Sequence, residues 1–409
     1  MNSLLKIPAR DARLGMFVHD IDRSWWAHDF LRTRFLIEDD ETLDKIRQLG
    51  RSEIVIDLTR GIDLDRLAPT AAEPEAEPEA KPAVPASPPA PVDNRPPWAI
   101  VTPTSFENEL TAARKLHARA RGLIRETMRE ARLGGIGDLP EVATLAEEMV
   151  SSVMRNAGAL VSLIGLKSKD DYTFMHSVAV GTLMIALGRQ AGLSPEAMRA
   201  AGLAGLLHDV GKASVPDAVL NKPGKLTEAE FSTIKLHPAE GHRLLIEAGH
   251  HDAASLDVVR HHHERLDGTG YPDGLAGAQI STLARVAAIA DVYDAVSSER
   301  VYHRAQPPTA VLRMLMKNVG THFDDALVRV FVKCVGIYPT GCLVRLESQR
   351  LAVVGEQHAS NALTPRVRVF FSLKSQAHLP VREIDLARSD DRIASYEDPR
   401  TWGFDLSRY

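Results

Sequence analysis

The sequence predicts a mainly α protein: a helical bundle with a small α/β unit before it and a short β-rich extension after it. Three observations carry that prediction. More than two hundred residues keep helical periodicity with marked helix starts, two strand-like runs precede a proline-rich stretch, and alternating β-branched segments follow Tyr338. At 409 residues the chain is too long for one compact core. We divide it into an α/β unit over 1–67, a linker over 68–98, a helical domain over 99–340 and the extension over 341–409.

In the first unit "GMFVHDI" and "EIVIDL" have strand composition, and "DDETLDKIRQLG" reads as a helix stopped by Gly50. A regulatory or dimerising role is the expectation for this unit, because it carries no metal or nucleotide motif. The run "EPEAEPEAKPAVPASPPAPVDNRPP" from Glu73 to Pro97 cannot bury a core and favours extended conformations, so it is a linker. Helix starts then become clear. Ser194 caps a helix with Pro195 at its first position, and Thr227 with Glu230 forms a capping box stapled by Leu226 and Phe231. Beyond Tyr338, "GCLVRL", "RLAVVG" and "RVRVFF" read as a small sheet, whereas the last dozen residues give no signal.

Composition narrows function. A net charge of -5 argues against bulk DNA binding while leaving room for a local basic pocket. The longest charge-free apolar run, "FMHSVAVGTLMIALG", is short for a bilayer span, and the N-terminus lacks the pattern of a secretory signal, so we expect a cytoplasmic protein without membrane contact. Cys334 and Cys342 form no CxxC pair or disulfide framework. Of the 16 histidines, eight fall between His208 and His263, and that clustering asks for a site.

Five short motifs place nitrogen or oxygen ligands at helix ends or on helix faces: His176 in "YTFMHSV", His208 and Asp209 in "LLHDVGK", His237 in "LHPAEG", the triplet in "HHHERLDG" and Asp291 in "AIADVYDA". Neighbouring helix residues point about 100° apart, so adjacent ligands need a helix terminus to splay them toward one point. Gly211 after the "HD" pair, and Gly268 and Gly270 after the triplet, offer such breaks. Two of the three imidazoles at 261–263 can then converge while the third faces away, and spacing does not say which. Asp291 lies in an otherwise apolar stretch, where a buried carboxylate is costly without a cation. Five histidines and two aspartates without a thiolate suit iron or manganese, with nickel, cobalt or zinc as further options. Seven ligands exceed one tetrahedral ion and fit two divalent ions with a bridging carboxylate. Taken singly each motif is weak; together they make a site.

The ordered set "HDVGK", "LHPAEG", "HHERLDGTGYP" and "IADVYDA" resembles the HD-GYP branch of the HD-domain metal-dependent phosphohydrolases over roughly residues 105–340. The segment before the linker resembles a small domain of unknown function that often precedes such domains. This resemblance implies an all-helical HD bundle and hydrolysis of the bacterial second messenger cyclic di-GMP to pGpG, and onward to GMP. It selects His262 and His263 as ligands and leaves His261 outside. It implies one metal held by His176, His208, Asp209 and Asp291, and a second by Asp209, His237, His262 and His263, with Asp209 as bridge. Some relatives hold a third metal through a glutamate one turn before the first histidine; Tyr172 stands there, so a binuclear centre is expected.

Two ions sharing a hydroxide supply nucleophile and electrophile together. Lys212 stands close enough to donate to a phosphate oxygen or to protonate the leaving group. In "DGTGYPDG", Gly268 and Gly270 are expected to let backbone approach the ligand or a partner, with Gly270, Tyr271 and Pro272 walling the substrate; relatives' loops are linked to GGDEF-type cyclase partners. Arg300 and Arg304 are candidates for phosphate or guanine recognition. Relatives carry "RPY" followed by a basic residue, whereas Val301 and His303 stand here. Arg285 and Lys225 read as surface or helix-packing residues. The alternative to an enzyme is a cyclic di-GMP sensor or adaptor acting through protein partners, and a third reading keeps the chemistry with another cyclic dinucleotide or a nucleoside phosphate. Long helices before His176 offer a surface for a homodimer.

Overall fold

A computed structural model describes residues 4–9, 12–21, 35–37, 39–47, 53–57, 96, 98, 100–137, 139–164, 172–298, 305–358 and 361–408. Gly50 and, apart from residues 96 and 98, the expected linker lie outside them. The chain divides into two compact units, Met1–Ala90 and Pro91–Tyr409.

The first unit holds strands β1 (Leu4–Pro8), β2 (Phe17–Ile21), β3 (Phe35–Leu36) and β4 (Glu53–Asp57) with helix α1 (Asp40–Arg47). They form an antiparallel sheet in the order β1-β4-β2-β3. Alternation along β4 buries Ile54 and Ile56, and Leu43 and Ile46, three apart on α1, close the core from the helix side. Strand β1, "LLKIP", was not foreseen: it is too short to set a pattern of its own and takes its place by pairing with β4.

In the second unit the helices run α2 (Phe106–Arg132), α3 (Leu139–Arg155), α4 (Ala157–Val161), α5 (Tyr172–Gln190), α6 (Pro195–Leu207), α7 (Asp217–Leu220), α8 (Glu228–Ile234), α9 (His237–Glu247), α10 (Ala253–His261), α11 (Thr282–Ser297), α12 (Pro308–Lys317) and α13 (Asp325–Val335). The apolar run read from the sequence is α5. It is buried nearly all round, as a helix must be when it stands between two cores. Met175, Val178 and Ile185 face the cluster built with α2, α3 and α6, while Val180, Leu183, Met184 and Leu187 face the cluster built with α11, α12 and α13. Among the described residues no helix is long and apolar enough to cross a membrane.

The helix starts follow their caps. Ser194 accepts from Ala197 N (3.2 Å) with Pro195 in the first turn, and Thr227 and Glu230 exchange the two bonds of a capping box. After α13 five strands, β5 (Leu343–Leu346), β6 (Arg350–His358), β7 (Asn361–Ser372), β8 (Ala377–Asp385) and β9 (Ile393–Tyr396), make an antiparallel sheet in the order β8-β7-β6-β5-β9. The sequence reading found β5, β6 and β7. It missed β8, an exposed edge strand with Pro380, which an edge position tolerates. The uninformative last residues pack Trp402, Phe404 and Leu406 onto the core around Phe370 and Phe371.

Candidate metal centre

Helix ends aim the ligands. His208 is the C-cap of α6, Asp209 opens a 3-10 turn over Val210–Ser214, His237 is the first residue of α9 with Pro238 behind it, and His262 is the C-cap of α10. His176 and Asp291 come instead from the faces of α5 and α11, which pack together. Gly211 allows the chain to turn back so tightly: a Cβ there would lie 1.9 Å from the carbonyl oxygen of His237 and 2.4 Å from Gly241 N. Gly211 therefore brings the "HD" pair against the start of α9 by close approach within the 3-10 turn, not by breaking the helix as the sequence suggested.

All seven candidate ligands meet. Their donor atoms gather in three overlapping groups, each within 4.8 Å: His176, His208 and Asp291; His208, Asp209 and His262; and His237, His262 and His263. His176 Nε2 is 3.0 Å from Asp291 Oδ1 and 3.7 Å from Asp209 Oδ2, and His208 Nε2 is 3.3 Å from that same Oδ2. The other oxygen, Oδ1, faces His237 Nε2 at 3.3 Å. Asp209 is 1% exposed and turns one oxygen toward each half of the cluster.

The outer ring nitrogens explain why the inner ones converge. His208 Nδ1 lies 2.8 Å from Gly205 O, His237 Nδ1 2.8 Å from Ile234 O, and His262 Nδ1 2.9 Å from Val259 O. A carbonyl only accepts, so Nδ1 carries a proton, and each ring when neutral presents a lone pair at Nε2. Those lone pairs point at other acceptors: His237 Nε2 and His262 Nε2 are 3.3 Å apart, and His208 Nε2 and Asp209 Oδ1 are buried without a hydrogen-bond partner. Acceptors crowded against acceptors in a buried space fit divalent cations and fit little else. Nitrogen and carboxylate oxygen without sulfur is a donor set for iron, manganese or a related ion.

Charges follow from burial and neighbours. Burial pushes His263 down to about 3, with Asp291 opposing and His237 assisting. Burial likewise holds His262 well below the usual imidazole range, aided by His263 and His208. Asp209 is the reverse: burial favours its neutral form, but positive charge beside it, on His208 when that ring is protonated and on Lys212, outweighs burial and holds the carboxyl well below the usual range. Lys212 Nζ sits 2.6 Å from Asp209 Oδ2.

A family model described as HD domain matches residues 159–327, and one described as Domain of unknown function (DUF3391) matches residues 4–142, running through the proline-rich segment into α3. A cyclic di-GMP phosphodiesterase of Pseudomonas aeruginosa is 45% identical over 98% of this chain and 94% of its own length. The chain belongs to the HD-GYP family. Other HD-GYP relatives match over less: a cyclic di-GMP phosphodiesterase response regulator of Xanthomonas campestris pv. campestris is 46% identical over 35% of this chain and 39% of its own length. A 3'3'-cGAMP-specific phosphodiesterase of Vibrio cholerae is 32% identical over 56% of this chain and 53% of its own length.

The HD-GYP triplet resolves cleanly. His261 faces away, with Nδ1 2.7 Å from Asp257 Oδ1 and Nε2 2.9 Å from Asp273 Oδ2. Asp273 also takes both prongs of Arg260 (2.7 and 2.8 Å), so His261 and Arg260 tie the glycine-rich loop to α10. The helix ends at the histidines themselves, well before Gly268 and Gly270, which the sequence reading had made its stop. Gly270 has a packing role of its own. Its missing Cβ would lie 2.5 Å from Glu264 Cα and 2.7 Å from Glu264 Oε2, so the glycine lets the loop close over Glu264. Tyr271 lays its ring 4.7 Å from that of His263, and Pro272, joined to it by a cis peptide, is half-buried beside it.

Two residues of the site were missed. Glu264, 2% exposed, accepts from the backbone N–H groups of Asp273 (2.8 Å), Gly274 (3.0 Å) and Leu275 (3.1 Å) and so fixes the loop. Asp294 takes the Nδ1 proton of His176 at 2.7 Å and orients that ring as the carbonyls orient the others. Its signal was its place three residues after Asp291, on the same face of α11. Arg300 and Arg304, with Val301 and His303, lie outside the described residues. Arg285 is a packing residue, bonded to Ile280 O, Gly277 O and Asp324, and Lys225 is exposed.

Proposed function

We propose that this HD-GYP chain is a metal-dependent phosphodiesterase that hydrolyses cyclic di-GMP to pGpG, using two divalent ions, iron or manganese, held by His176, His208, Asp209, His237, His262, His263 and Asp291. The observation that carries the reading is the convergence of imidazole Nε2 atoms and carboxylate oxygens in one buried space. The near full-length similarity to the Pseudomonas cyclic di-GMP phosphodiesterase supports the substrate.

Bound there, a pair of divalent cations supplies Lewis acidity toward the phosphate oxygens and the attacking water. The chain does the rest. The anchored Nδ1 atoms of His208, His237 and His262 keep three lone pairs aimed inward without reorganisation. Asp209, with one oxygen toward each half of the cluster, joins the two sets of ligands. Water adds to phosphorus and gives up a proton, and the bond to the ribose 3′ oxygen breaks. Lys212, already within 2.6 Å of Asp209, delivers a proton to the leaving oxygen, and the proton released by the water restores the ammonium.

Anaerobic purification with metal analysis, then identification of the product formed from cyclic di-GMP, tests the proposal. Two equivalents of metal and accumulation of pGpG are expected, and His208→Ala and Asp209→Ala are expected to lose turnover while keeping the helical circular dichroism of the parent. Fully loaded protein that binds the nucleotide and releases no pGpG is a sensor and contradicts the proposal. Faster turnover of 3'3'-cGAMP than of cyclic di-GMP overturns the choice of substrate.

A further inference from the structure

Beside the histidine cluster lies a cation that the ligand chemistry does not use. Lys235 is the C-cap of α8, and its ammonium stands over two aromatic rings, 4.8 Å from the centre of Phe231 and 5.4 Å from that of Tyr271. Tyr271 in turn packs on His263, so aromatic and cationic contacts lead without a gap from the ligands to α8. Phe231 is 46% exposed, so one face of its ring is open to solvent. The helix presenting it is firmly built: the capping box fixes its start, and Lys222 grips both oxygens of Glu230 at 2.7 and 2.8 Å. Among the described residues no carboxylate pairs with Lys235, whereas Lys212 is engaged with Asp209 at 2.6 Å.

A cyclic dinucleotide carries two phosphodiesters on opposite sides of its ring. When one lies at the histidine cluster the other still bears a full negative charge and must face the pocket wall. A π-face holds an ammonium without neutralising it, so a lysine kept by two rings stays available to an anion. We propose that Lys235 is a substrate-binding residue that receives the second, non-reacting phosphate of the cyclic dinucleotide, and that Phe231 and Tyr271 are positioning residues that hold its ammonium at the mouth of the site. This rests on the cyclic dinucleotide reading of the same site.

The test uses the full-length, metal-loaded protein with Lys235→Met, which keeps the stem and removes the charge, and Lys235→Arg, which keeps the charge. One lost charge-assisted contact predicts a KM for cyclic di-GMP raised about tenfold in Lys235→Met. Because the second phosphate does not react, kcat is expected to stay within about twofold, and Lys235→Arg to restore KM. Phe231→Leu is expected to raise KM about threefold in the parent and not at all in the Lys235→Met background, as coupling through the cation requires. An unchanged KM in Lys235→Met, a loss confined to kcat, or a failure of arginine to restore KM overturns the assignment. Absence of turnover in the parent refutes the proposed function instead. Calorimetric binding of cyclic di-GMP then still decides Lys235: about tenfold weaker binding in Lys235→Met supports the role, and equal binding refutes it.

Discussion

Glu264 offers the sharpest test of how the glycine-rich loop is held. Its carboxylate, almost wholly buried, accepts three consecutive backbone N–H groups at 2.8, 3.0 and 3.1 Å, and Gly270 closes over it. A hydrogen bond to a charged acceptor contributes about 1.5 kcal/mol or somewhat more, but Asp273 and Gly274 lie at the surface, where water replaces part of the lost bonding. Glu264→Ala should therefore cost about 3 kcal/mol locally, roughly two-thirds of what three such bonds would contribute without that replacement. That is about a hundredfold increase in the opening of the loop. Glu264→Gln keeps the acceptor serving Asp273 and Gly274 and turns a donor toward Leu275 N–H, so its cost should be about half as large. Hydrogen exchange read by mass spectrometry on peptides covering 271–275 measures this directly. The expected order of protection is parent, then glutamine, then alanine, with activity falling in step as Tyr271 leaves His263. Equal protection in the parent and Glu264→Ala would refute the reasoning, because it would mean that the Arg260 and His261 contacts to Asp273 alone hold the loop.

Asp294→Ala frees the outer nitrogen of His176 and is expected to weaken metal affinity by about 10–100-fold, measured by competition with a chelator. Gly211→Ala places a methyl group 1.9 Å from the His237 carbonyl and is expected to destabilise the protein by about 3 kcal/mol in urea unfolding, since backbone on both sides must move. His261→Ala is expected to keep the metal content and to hold kcat within about twofold of the parent, whereas His262→Ala loses metal; equal loss in both contradicts the separation of the triplet. Removal of metal by a chelator should abolish turnover and lower the melting temperature, and manganese should restore both.

The sequence disclosed the site better than the fold around it. All seven candidate ligands stood in short motifs at helix ends or on an apolar face, where chemistry and local signals coincide, and the structure brings all seven together. The caps at Ser194 and Thr227 were legible for the same reason: a cap is written within four residues. Asp294 and Glu264 escaped because their work is done on partners far along the chain or on backbone, and nothing in their residue type separates them from surface carboxylates. Gly211 was noticed as a helix breaker, the commoner use of glycine, and Gly270 as a breaker and for approach to a ligand or partner, whereas the structure adds a neighbouring backbone or side chain in the place of each Cβ. Strands β1, β3, β8 and β9 were missed since short or edge strands depend on their neighbours more than on their own composition.

The most direct measurement is anomalous diffraction from crystals of manganese-loaded protein. Two anomalous peaks a few ångströms apart, enclosed by His176, His208, Asp209, His237, His262, His263 and Asp291 with Asp209 between them, are the predicted result. No peak within that ring of side chains, from protein that retains full turnover of cyclic di-GMP, contradicts the account.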